Sequence, residues 1–137
     1  MMCKVLIFSC ISAVMLMTAA YGASLSEEGD RLLKALIEDL KFLEKSKDKI
    51  HFDLYTPNEK QECSRTSLQC YLTELGTLEN EIEDEDVDNL RNIKKNLQSL
   101  MGLIPRGTGC KICEANDKKN FPAFHQELNN LLRSMLK

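Results

Sequence analysis

The chain has 137 residues, with 18 basic and 21 acidic side chains and a formal net charge of −3. That length suits one domain with a real core and is short for two. The near balance of charge, without a basic stripe interleaved with aromatics, excludes a nucleic-acid-binding surface.

Lys4 follows Met1 and Met2, residues 5–17 carry no charge, and the small residues Ala19, Ala20, Gly22 and Ala23 close the stretch. This basic, apolar, small-residue order predicts a signal peptide over residues 1–23. Its apolar run of about a dozen residues falls short of the ~20 that cross a bilayer. The expectation is therefore a secreted, extracellular domain over residues 24–137, with no membrane insertion. Cleavage removes Cys3 and Cys10 and leaves Cys63, Cys70, Cys110 and Cys113. An even set in an oxidising compartment is expected to pair.

Four amphipathic helices follow from the apolar spacing. In the first, Leu32, Leu33, Leu36, Ile37, Leu40 and Leu43 recur at intervals of three and four, with Ser26 as an N-cap and an end near Lys49. The second runs from about residue 64 to 80, with Leu68, Leu72, Leu75 and Leu78 inward and Gly76 tolerated. An acidic cluster, Glu79, Glu81, Glu83, Asp84, Glu85, Asp86 and Asp88, then precedes Val87, Leu90, Ile93, Leu97 and Leu100 of the third, which ends around Met101 and Gly102. Acids there offset the positive end of the helix dipole, and Arg91, Lys94 and Lys95 follow toward the other end. The fourth begins near Asn120, accepts Pro122 in its first turn, and carries Phe121, Phe124, Leu128, Leu131, Leu132 and Met135. No strand alternation competes with these helices.

The connections dictate topology. Residues 50–62, with Pro57, join helices one and two, and a still longer segment with Pro105, Gly107 and Gly109 joins three and four. Both are long for a compact domain, whereas helices two and three are separated by a few acidic residues. Long, short, long predicts an all-α, up-up-down-down four-helix bundle with two crossover loops.

Cys63 and Cys70 are seven positions apart, so on a helix they share a face about 10 Å apart and cannot bond each other. Of the two pairings left we prefer Cys63 with Cys110 and Cys70 with Cys113. Closing such loops is worth on the order of 4 kcal/mol in the chain-entropy model. A zinc site fits poorly, because the first pair has six intervening residues and the compartment is oxidising. Enzyme chemistry finds no foothold. There is no G-x-S-x-G, H-E-x-x-H, phosphate loop or dinucleotide fingerprint, and the two histidines, His51 and His125, sit in helix-end or amphipathic contexts. No cofactor is expected.

Several stretches together carry a resemblance: Leu54-Tyr55-Thr56; Cys63 with Cys70-Tyr71-Leu72-Thr73-Glu74-Leu75; Gly109-Cys110-Lys111-Ile112-Cys113-Glu114; and Ile37-Glu38-Asp39-Leu40-Lys41. In this order and spacing the chain resembles the interleukin-15 and interleukin-2 family of short-chain four-helix cytokines. The Gly109-to-Glu114 piece and the two complete cysteine pairs look more like the interleukin-15 branch. The resemblance implies a monomeric secreted ligand that assembles beta and common gamma receptor chains, with an alpha-type receptor, and drives lymphocyte proliferation and survival through JAK-STAT signalling. By the same resemblance, Asp39 and Asn89 fall where the family meets the beta chain. Arg133 stands where the family uses a glutamine toward the gamma chain. Tyr55, Glu74 and Glu81 fall on the alpha-receptor surface and suggest an acidic patch. The alternatives are an interleukin-2 paralogue of the same fold, or a secreted helical carrier of lipid or another apolar ligand.

Overall fold

The computed structural model describes residues 27–58, 63–82 and 86–136. The expected signal peptide over residues 1–23 and the expected cap at Ser26 lie outside these residues. Helix α1, Glu27–Leu43, has Glu27, Glu28 and Asp30 in its first turn and Lys41 in its last, which suits the helix dipole. Its leucine stripe, Leu33, Leu36, Leu40 and Leu43 with Ile37, is buried. Beyond Leu43 the stripe stops, and the chain tightens into a 3-10 segment, Glu44–Lys49, rather than continuing as α-helix to Lys49.

Helix α2, Ser64–Glu81, and helix α3, Asp86–Met101, form a hairpin across the acidic link. Helix α4, Phe121–Met135, starts on a side-chain cap: the Asn120 carbonyl oxygen accepts from the Ala123 N–H at 3.0 Å. Pro122 occupies the first turn, where its missing N–H is not needed. The long crossovers meet in a two-stranded antiparallel ribbon, β1 Leu54–Tyr55 and β2 Lys118–Lys119, with Leu54 opposite Lys119 and Tyr55 opposite Lys118. Two residues per strand are too few to leave an alternation in the sequence, which is why this ribbon was not expected.

Helix directions follow from which ends meet. Arg65, at the start of α2, donates from Nη1 to the Ile104 carbonyl just past the end of α3, at 3.2 Å. Glu79, near the end of α2, bonds Arg91 and Lys94 in the first part of α3. The two helices are therefore antiparallel. His125, at the start of α4, has Nε2 2.6 Å from the Leu40 carbonyl near the end of α1. Since a carbonyl only accepts, Nε2 carries the proton, and α1 and α4 also run antiparallel. The most extensive packing joins α1 to α3, followed by α2 to α3 and α1 to α4. Tyr71 of α2 closes the ring against Phe124 of α4, edge-on with centroids 5.1 Å apart. Each long loop must then traverse the bundle lengthwise, giving an all-α four-helix bundle with up-up-down-down topology.

Leu33, Leu36, Leu40, Leu68, Leu75, Leu90, Leu97, Phe121, Phe124 and Leu128 fill the interior from all four helices. Buried Tyr71 donates its hydroxyl to the Pro57 carbonyl at 2.8 Å, fastening the first crossover. Burial, with the Glu127 charge as a smaller cause, pushes that hydroxyl well above the ordinary tyrosine range, so it stays a neutral donor. Disulfides Cys63–Cys110 and Cys70–Cys113, with Cα atoms 5.7 and 5.1 Å apart, fix the second crossover along α2. Among the described residues no helix is long and apolar enough to cross a membrane.

Candidate functional site

The surface over α1 and α3 holds two polar side chains in partly apolar surroundings. Asp39 follows the buried pair Leu36 and Ile37 and precedes the buried Leu40, which leaves it half-buried. Burial, and secondarily the neighbouring Glu38, holds its carboxyl above the usual range. Glu38 is itself exposed and pairs with Lys41 at 3.0 Å. Asn89 lies one residue before the buried Leu90 on α3. Its Oδ1 is buried and has no hydrogen-bond partner among the described residues. A buried acceptor left unmade costs about 1–3 kcal/mol, a penalty that an outside donor would recover once the side chain turned outward. Asp39 and Asn89 thus offer two acceptors from helices that pack directly on each other.

A second surface lies where α2 meets the ribbon. Glu74 was expected on an exposed acidic patch, but its residue is only 8% exposed. Its Oε1 accepts from the Tyr55 N–H at 2.6 Å, satisfying a strand donor that the two-residue ribbon leaves over. Glu74 therefore locks β1 to α2; the exposed acids flanking the ribbon are Asp53 and Asp117, and Glu81 is exposed at the last residue of α2. The half-buried Tyr55 ring carries the Lys118 ammonium 4.8 Å from its centroid. A cation above the ring is a favourable contact with the negative π face. Arg133 is exposed in the last turn of α4, remote in sequence from the other named residues.

Glu79 was read from the sequence as one of the acids that offset the dipole of the third helix, and the structure gives it specific partners instead. Its carboxylate bridges Lys94 at 2.6 Å and Arg91 at 2.7 Å across the α2–α3 hairpin. Hydrogen bonds from Lys94, then Arg91, hold it below the ordinary carboxylate range. The signal that could have found it is the short acidic link, which folds Glu79 back onto the basic positions of the next helix. Among the described residues, no three His, Cys, Asp or Glu side chains are grouped so as to hold a metal ion.

Known proteins are similar to this chain over most of its length. A family model described as Interleukin 15 matches residues 5–137. Interleukin-15 of Oryctolagus cuniculus is 30% identical over 139 aligned positions, covering 96% of this chain and 78% of that relative. Interleukin-15 of Chlorocebus aethiops and of Macaca mulatta are each 32% identical over 108 positions, covering 74% of this chain. In these two cases the match spans 66% of the relative's length. A match running over residues 5–137, on a four-helix bundle whose second crossover is held by the two cysteine pairs, places this chain in the interleukin-15 family.

Proposed function

We propose that the chain is a secreted cytokine, exported through a leader over residues 1–23, that acts without catalysis by bringing receptor chains together. Asp39 and Asn89 contact a beta-type chain, Arg133 lies in the contact with the common gamma chain, and Tyr55 and Glu81 face an alpha-type receptor with Glu74 holding Tyr55 in place. Receptor-associated kinases then activate one another and signal through the JAK-STAT route to lymphocyte proliferation and survival. The observation that carries this reading is the half-buried Asp39 carboxyl on α1 together with the buried Asn89 Oδ1 on α3, which has no partner among the described residues, in a chain of the interleukin-15 family. Arginine donors on a receptor would make charge-assisted hydrogen bonds to Asp39. At Arg133 the contact must be donor-only, since a guanidinium cannot accept.

The test is Asp39→Lys, assayed on cells bearing the receptor chains of the same species and compared with the parent chain in thermal unfolding. Loss of STAT phosphorylation with an unfolding midpoint no lower than the parent's supports the assignment. Undiminished signalling removes Asp39 from the site.

A further inference from the structure

The chain has five arginines, and four lie in helices: Arg31 in α1, Arg65 in α2, Arg91 in α3 and Arg133 in α4. Arg106 alone lies in an irregular segment, the stretch between α3 and Cys110, and it alone follows a proline. Its side chain is exposed, as are Pro105 and Thr108, and Leu103 is 37% exposed. We propose that this segment is a processing site for a secreted trypsin-like serine protease that prefers proline before arginine, cutting between Arg106 and Gly107.

Three features fit the segment to such an enzyme. A trypsin-like specificity pocket ends in a carboxylate, which the Arg106 guanidinium pairs with in fork geometry. Pro105 fixes its own φ and ends the turn in which the Ile104 N–H still donates to the Met101 carbonyl, so the chain is free of regular structure from Pro105 to the cut. Gly107 follows the scissile bond without a side chain, and Gly109, at φ +69° with open space around it, lets the chain bend away. Residues 105–107 have no regular structure, and exposed loops of small residues are preferred nicking sites. On its N-terminal side the segment is held by three things: the Leu103 and Ile104 N–H groups donate back to the Leu100 and Met101 carbonyls at 2.9 and 3.1 Å, Ile104 packs against the core, and Arg65 Nη1 donates to the Ile104 carbonyl at 3.2 Å.

In the reaction the Arg106 carbonyl carbon to Gly107 nitrogen bond breaks and one water is consumed. Its hydroxyl completes a carboxyl on Arg106, and its hydrogen goes to the new Gly107 amine. The cut falls inside both disulfide rings, since Cys110 and Cys113 lie after it and their partners Cys63 and Cys70 before it. The product is a two-chain bundle in which α4 stays covalently attached through the two disulfides alone, besides its packing in the core. Reduction of both bridges would then release α4 with its buried Phe121, Phe124, Leu128 and Leu132, and dismantle the core.

The experiment digests the oxidised, folded chain with thrombin as a proline-arginine-selective probe, alongside Arg106→Gln, Arg65→Ala and a free peptide spanning residues 102–109. The expected result is a mass gain of one water, no separation of pieces without reductant, and a fragment beginning at Gly107 once reductant is added. Arg106→Gln should yield no such fragment, and Arg65→Ala should yield it faster by freeing Ile104. A folded chain that resists while the peptide is cut overturns the proposal. So does a first cut elsewhere, or a fragment that separates without reduction.

Discussion

Burial, and secondarily the neighbouring Glu38, opposes the charge on Asp39. Its carboxyl is raised in the fold, so the native state binds the proton more tightly than the unfolded chain does, and stability is lost as pH rises through the carboxylate range. Asp39→Asn is therefore expected to unfold at a slightly higher temperature near neutral pH while binding the beta-type receptor more weakly. Calorimetry and receptor titration on the same protein measure both effects, and a lowered midpoint would show that the carboxylate is stabilising instead. Glu79 works in the opposite sense. Lys94 and Arg91 depress its carboxyl, so its contribution is complete above the ordinary carboxylate range and is lost as pH falls through the depressed value. Glu79→Gln should lower the unfolding midpoint at neutral pH, and the gap to the parent should close in strong acid. Neither Glu74 nor Glu79 was legible as a structural acid from its own neighbourhood in the sequence. Each takes its role from a partner that only tertiary folding supplies: the Tyr55 N–H for one, and two cations of the next helix for the other.

Helices were readable because each carries an apolar stripe that must be buried, and the stripe marks its length well. The end of α1 was not, since Glu44–Lys49 turns helically without leucines and only hydrogen bonding separates a 3-10 turn from an α-helix. At α4 the start near Asn120 was legible, and the cap that the structure adds there makes a direct prediction. Asn120→Ala removes the acceptor for the Ala123 N–H and should cost about 1 kcal/mol in denaturant unfolding, whereas Asn120→Ser should restore most of it. The cysteines show where local spacing runs out. A seven-residue separation rejects a bond between Cys63 and Cys70, but choosing between the two remaining pairings depends on which way the second crossover runs along α2. With Cys63 at the start of α2 beside the loop's first cysteine, the loop climbs the helix from Cys110 to Cys113. Cys70→Ser should therefore lower stability by about 2–5 kcal/mol and leave Cys113 open to a thiol probe. Protection of Cys113 in that variant would mean that another cysteine had taken the bond.

At the scale of the molecule, the loop lengths already implied the up-up-down-down winding, because a helix joined by a long overhand loop can return parallel to its predecessor. The ribbon of β1 and β2 was hidden, although it is what ties those two loops together near the start of α4. The bundle sets Asp39 and Asn89 on adjoining helices, holds Tyr55 at the ribbon, and leaves Arg133 on the last turn of α4. The most direct measurement is binding of the oxidised chain over residues 24–137 to soluble alpha-type, beta and common gamma receptor ectodomains of the same species, singly and together. The account predicts a complex containing beta and gamma chains around one copy of the ligand, weakened by Asp39→Lys and strengthened by the alpha-type ectodomain. Folded ligand that binds none of the three, or whose beta-chain binding is unaffected by Asp39→Lys, would contradict it.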